Sequence, residues 1–203
     1  MVEVFGYGED ALTYWVLTRR LDDFLEQLKD RSKASECALF YRPSFGRGGR
    51  SLALLGEFDA ILLSPVCMYL IESKWSHSPE LRTGKLAECQ KLRHRTVRWI
   101  AENWDGKQPF NDFCEQNRVH FKESFGGKEL PPIDTGVFYR LNHVLTKAHV
   151  MSKGESTLQI RDIFLVILEK GCGTKMIESP DGFELKQMEY NPIDASNFFD
   201  MNG

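Results

Sequence analysis

Asp59 and the triplet Glu72-Ser73-Lys74 stand symmetrically about a turn signal, Ser64-Pro65-Val66-Cys67. Residues 56–63 and 68–75 on either side read as strands, and Pro65 holds the φ that a tight turn wants at its second position. Folding about that turn sets Asp59 opposite Glu72, and Glu57 opposite Lys74. Directly opposed residues share a face, with Cα atoms roughly 4.5–5.5 Å apart. Two facing carboxylates repel each other, and a divalent cation between them removes the objection. The pattern is that of a metal site. Hydrolysing a phosphodiester needs a positioned water, neutralised phosphate charge and a stabilised leaving oxygen, which one or two Mg²⁺ ions held by a few carboxylates can supply. Asp59 and Glu72 are hard oxygen ligands, and the backbone carbonyl of Ser73 offers a third. Lys74 projects from the same strand face as Glu72 and can polarise the attacking water. Glu9 is positioned to complete the metal shell.

The elements that must hold these residues are legible in outline. Gly6-Tyr7-Gly8 leads into an amphipathic helix over about 9–29, with Leu12, Trp15, Val16, Leu21, Phe24, Leu25 and Leu28 at helical spacing. Glu9 and Asp10 suit the positive end of its dipole, which is also the plain structural reading of Glu9. Residues 38–42 form a short strand, and 44–50 a basic, glycine-rich loop. Ser78-Pro79 opens a helix running to about Trp104, with an N-cap and an N1 proline. Its buried stripe is Leu81, Leu86, Cys89, Leu92, Val97, Ile100 and Trp104; Lys91, Arg95 and Arg98 point away. Arg93 falls close to the apolar side and Gln90 at its margin, so both need partners that a neighbouring site could supply. Residues 109–125 have helical spacing, closed by Gly126-Gly127. Residues 137–151 fit strand or helix, 163–168 read as a buried strand, and the chain from about Asn191 reads as a polar tail.

Composition narrows the class. The chain has 203 residues and a net charge of −3, with the apolar and charged fractions of an ordinary globular protein. The longest apolar stretch, 60–71, is interrupted by Ser64 and Pro65 and is too short to span a bilayer. No basic-then-apolar leader pattern opens the sequence. Cys37, Cys67, Cys89, Cys114 and Cys172 are scattered without a C-x-x-C pair, which points to reduced thiols in a cytoplasmic setting and away from a cysteine-built zinc site. Positive charge concentrates locally, at Arg42, Arg47 and Arg50 and along the helix after the hairpin. A solvated face is the plain reading of either run, and phosphate contact the functional one.

Asp59 followed by Glu72-x-Lys74, on a helix, β-hairpin, helix background, resembles the PD-(D/E)xK nuclease superfamily. Gly56-x-x-Asp59 is similar to the G-x-x-D form of its RecB-like members. Gln90-x-x-x-His94 falls where those members carry Q-x-x-x-Y, and Gly8-Glu9-Asp10 before a helix is similar to the opening of the NERD branch. The resemblance covers roughly the first hundred residues. Phe58 stands where a proline often precedes the aspartate, and His94 replaces the tyrosine.

The resemblance implies an α/β fold with a restriction-endonuclease-like mixed β-sheet flanked by helices and an αβββαβ core. It implies Mg²⁺, with Mn²⁺ as a substitute, held by Asp59, Glu72, the Ser73 carbonyl and Glu9. Lys74 then assists the attacking water, and Gln90 orients Lys74 or contacts substrate. The expected protein is one domain over 1–203, with its core at about 5–105, further strands and helices over 106–190, and the polar tail. The expected activity is cytoplasmic, Mg²⁺-dependent hydrolysis of DNA phosphodiesters in repair, recombination or defence. Arg42, Arg47, Arg50, Lys91, Arg95 and Arg98 would track the DNA backbone. A homodimer suits cutting of both strands. The rival expectations are a nuclease-like nucleic-acid-binding or scaffold module without turnover, and hydrolysis of a non-nucleic phosphate ester.

Overall fold

A computed structural model describes residues 3–46, 55–82, 85–152, 158–171, 177–193 and 196–201. Its strands are β1 (Phe5–Gly6), β2 (Ala38–Tyr41), β3 (Ala60–Leu63), β4 (Met68–Trp75), β5 (Ile160–Glu169), β6 (Glu184–Tyr190) and β7 (Phe199–Asp200). Its α-helices are α1 (Gly8–Arg19), α2 (Leu21–Leu28), α3 (Glu88–Asn103), α4 (Phe110–Gln116), α5 (Arg118–Ser124) and α6 (Gly136–Met151). The result is an α/β protein whose five-stranded sheet runs β2-β3-β4-β5-β6. The first three strands pair antiparallel and the last two join in parallel, so the sheet is mixed.

Alternation along the strands separates two apolar layers. Ala60, Leu62, Tyr69, Ile71, Ile163, Leu165 and Ile167 pack against α1 and α2. Ile61, Leu63, Met68 and Leu70 face the opposite way, against α3, α4 and α6. Strands β3, β4 and β5 are covered on both sides, and their stretches 60–63, 68–71 and 163–168 read as continuous apolar runs for that reason.

The hairpin forms in the expected register, with Ala60 paired to Ile71 and Leu63 to Met68. Its turn is held by Ser64, whose backbone N–H donates to the Cys67 carbonyl at 2.9 Å. The first strand is shorter than expected, beginning at Ala60 rather than Gly56. Gly56 has φ +59°, and Glu57 makes only a single bridge to Ser44, so the chain bends away from β4. The cross-strand Glu57–Lys74 pair therefore does not form: Glu57 pairs with Arg42, and Lys74 with Glu9.

The helix expected over 9–29 is two helices, broken at Arg20 (φ −115°, ψ 23°). The helix expected from Ser78-Pro79 is interrupted as well. Residues 79–82 form a 3₁₀ turn, and α3 starts only at Glu88. Ser78 does not act as its cap; its hydroxyl accepts the Trp75 N–H and donates to Glu9. Residues 137–151, ambiguous by periodicity, are helical, and Thr135 caps them by accepting the Phe138 N–H. Within the expected polar tail, β7 pairs antiparallel with β1. Among the described residues, no helix is long and apolar enough to cross a membrane.

Candidate active site

Asp59 immediately precedes β3, next to the Ala60–Ile71 pair that ends the hairpin ladder. Its Oδ2 accepts the backbone N–H of Ser73 at 2.7 Å, and its own carbonyl accepts the Arg42 N–H. The side chain is therefore aimed across the hairpin. Burial, then the nearby Glu72 charge, pushes its pKa up to about 6, although Lys74 and the Ser73 N–H pull the other way. Burial beside a second acid thus makes the charge on Asp59 costly, although the group still ionises by neutral pH.

Glu72 is 1% exposed, and the side chains in contact with its carboxylate come from α3. Gln90 Nε2 donates to Oε2 at 2.7 Å, His94 Nε2 lies 3.1 Å from Oε1, and Arg93 Nε lies 3.3 Å from Oε1. Gln90 does a second job, since its Oε1 accepts the Ala87 N–H and closes the open start of α3. The other ring nitrogen of His94 stands 2.8 Å from Asp162 Oδ1 on β5. Arg98 holds the same carboxylate from Nη2 at 2.5 Å. Burial alone would lower the pKa of His94, but its hydrogen bonds to Asp162 and Glu72 outweigh that and raise it. Asp162 is shifted down in turn: burial opposes ionisation, while His94 and Arg98 favour it.

Lys74 lies two residues beyond Glu72 on the same face, 7% exposed. Its Nζ donates to Glu9 Oε1 at 2.9 Å and to the Ser73 carbonyl at 2.8 Å. Burial pulls the ammonium's pKa down, yet Asp59 and Glu9 more than reverse this and the net shift is upward. Lys74 is thus a cation at neutral pH, an electrostatic and orienting group rather than a free base. Glu9 reaches it because α1 begins at the end of the sheet. There Glu9 Oε2 also accepts from Ser78 Oγ at 2.5 Å. On the α1 side, Thr13 Oγ1 donates to Ser73 Oγ at 2.7 Å and fixes the helix on β4.

Asp59, Glu72, Lys74, Glu9 and Gln90 therefore lie within one network of contacts. Its further members are Asp162, Arg93, Ser78 and His94, and only Arg93 among them is marked by its own position as needing a partner. Asp162, Arg93 and Ser78 come from a strand face, a helix margin and a turn whose chemistry depends on the partner. His94 was legible only as the last residue of the Gln90-x-x-x-His94 spacing.

The basic residues divide. Arg42 is tied to Glu57 and to Asp10. Lys91 pairs with Glu88 within its own helix, Arg95 is exposed, and Arg98 is committed to Asp162, the Ile160 carbonyl and Glu102. Arg47 and Arg50 lie outside the described residues. Cys37, Cys67, Cys89 and Cys114 are free thiols; Cys172 lies outside the described residues.

Among the described residues, no three His, Cys, Asp or Glu side chains are arranged as a metal-holding group. Compared with protein-family models, with curated proteins and with solved structures, the chain matches none.

Proposed function

We propose that this chain is a divalent-cation-dependent nuclease with a restriction-endonuclease-like core, hydrolysing DNA phosphodiesters in the cytoplasm in repair, recombination or defence. The observation that carries the reading is the convergence of Asp59, Glu72, Lys74 and Glu9 at one end of the hairpin. The donor chemistry fits Mg²⁺ or Mn²⁺: the acids and the Ser73 carbonyl offer hard oxygens, and burial beside Glu72 raises the Asp59 pKa, a cost of charge that a bound cation would relieve. Among the described residues, no donor reaches its Oδ1. A divalent cation, when bound, supplies charge neutralisation at the phosphate and an activated water. Lys74 contributes a fixed positive charge beside the reacting phosphate. Glu9 and the Ser73 carbonyl orient that ammonium, and Gln90 holds Glu72 in place. A homodimer would give two such sites for two strands.

One observation favours a second reading, a nucleic-acid-binding or scaffold module of the same architecture without turnover. Both oxygens of Glu72 and both of Glu9 already receive protein donors, so much of the acidic charge is neutralised internally. The deciding experiment is plasmid cleavage with Mg²⁺ or Mn²⁺, together with thermal stabilisation by the same ions. The enzyme reading expects cleavage that Asp59→Ala and Lys74→Ala each reduce by at least a hundredfold, and ion-dependent stabilisation that Asp59→Ala removes. DNA binding with neither cleavage nor stabilisation selects the second reading. Turnover of small phosphoesters with plasmid left intact would assign a non-nucleic substrate.

A further inference from the structure

We propose that the cleft between the chain preceding β3 and the first turns of α3 is a binding site for a phosphodiester group, and that Arg93 is the residue that engages it. The inference rests on the phosphodiester reading above and names where that substrate's backbone is held. The cleft is about 600 Å³, within the range of small-molecule sites and large enough for a nucleotide unit. Arg42, Ser44, Gly56 and Glu57 line one side, and Cys89 and Arg93 the other.

Arg93 is the cation with spare capacity. A guanidinium carries five N–H donors in a planar fork that matches phosphate oxygens. Its Nε is buried and makes no hydrogen bond among the described residues, being 3.3 Å from Glu72 Oε1. The group is held over the Phe58 ring, with Cζ 5.5 Å from the centroid, so its direction is set before any ligand arrives. Arg42, by contrast, is already balanced by Glu57 and Asp10. Gly56 keeps the approach open. A Cβ at that position would sit 3.5 Å from Arg93 Nη1, so any longer side chain would cover the donor, and its φ of +59° suits glycine. Because Arg93 touches Glu72 on one side and lines the cleft on the other, an anion held there lies beside the Asp59–Glu72 pair.

Cys89 offers a test that leaves every charged residue in place. Its exposed thiol lines the same cleft, whereas Cys67 and Cys114 are buried and Cys37 is half-buried, so Cys89→Ala is the control for alkylation at any other thiol. The protein is alkylated with a bulky maleimide, and binding of fluorescein-labelled single- and double-stranded DNA oligonucleotides is followed by anisotropy in EDTA. Alkylation is expected to raise Kd at least tenfold, and the Kd of Cys89→Ala is expected not to respond to the reagent. Arg93→Gln is expected to raise Kd about tenfold and to flatten the dependence of log Kd on log salt by about one phosphate contact. If Arg93→Gln fails to fold, Arg93→Lys, which keeps the charge and loses the planar fork, decides for Arg93 and alkylation decides for the cleft; an unchanged Kd in the folded variant overturns the role of Arg93.

A Kd that alkylation changes less than twofold overturns the proposal, as does an absence of binding by the untreated protein. Metal-free binding separates this failure from that of the nuclease reading. Plasmid cleavage with alkylation-insensitive binding removes the cleft alone. Alkylation-sensitive binding without cleavage removes the nuclease and leaves the cleft.

Discussion

Lys74 Nζ stands 2.9 Å from Glu9 Oε1, and this one contact ties β4 to the first turn of α1 across the end of the sheet. Glu57, directly opposite Lys74 in an extended hairpin, would have been the cross-strand partner, but the chain bends away at Gly56. Glu9 thereby becomes part of the site instead of an ordinary first-turn acid.

Removing that ammonium should be costly even without substrate. In Lys74→Ala, Glu9 and Asp59 lose the cation between them, and breaking a buried ion pair costs about 3 kcal/mol, with the lower end expected here because Glu9 is partly exposed. Urea unfolding of Lys74→Ala, Glu9→Gln and the double variant measures this. A double variant less destabilised than the sum of the two single changes is the expected sign of direct coupling. Strict additivity would dissolve the pair.

Asp59 gives a pH dependence with a definite sign. Its folded pKa, about 6, lies above the ordinary 3.8, so the folded state binds more protons between about pH 4 and pH 6. Its contribution to stability is full below about pH 4 and is lost as pH rises through 6. In metal-free buffer, Asp59→Asn should therefore gain Tm relative to wild type as pH climbs from 4 to 7, and the concentration of Mg²⁺ that stabilises wild type should fall over the same range. A constant Tm difference would show that Asp59 ionises freely.

His94 carries the opposite chemistry and a separate window. A histidine whose folded pKa is raised above 6.5 contributes stability fully below that pH and loses it as pH rises through the folded value. Wild type should lose stability in that alkaline direction, and His94→Gln should flatten the response while retaining a donor toward Glu72. His94→Ala, which leaves Glu72 and Asp162 facing each other, should be destabilised by about 3 kcal/mol. Calorimetry across pH 6 to 9 distinguishes the variants.

Arg95 and Arg98 look equivalent on a helical wheel and should behave differently. Arg95 is exposed, so Arg95→Ala should leave Tm within about 1 °C of wild type and weaken DNA binding with a reduced salt dependence. Arg98 holds Asp162, so Arg98→Ala should lower stability by about 1–3 kcal/mol through a weakened buried acid. Parallel melting and DNA-binding titrations check both, and equal effects on stability would refute the division.

The sequence by itself determined the hairpin and the register of its paired residues, 60–63 with 68–71. Each follows from a turn at Pro65 and a period of two, both readable within twenty residues. The Gln90-x-x-x-His94 spacing was legible for the same reason, because one helical turn places both residues on one side. Only the tertiary structure decided that Glu9 rather than Glu57 meets Lys74, that His94 joins Glu72 to Asp162, and that Arg98 faces inward. His94 and Asp162 are 68 residues apart, and their contact depends on the parallel pairing of β5 with β4. Residues of α3, α4, α5 and α6 lie between β4 and β5 in the chain, so the pairing joins segments far apart in sequence. Local periodicity carries no record of it, because it fixes which side of an element a residue occupies and not what packs there.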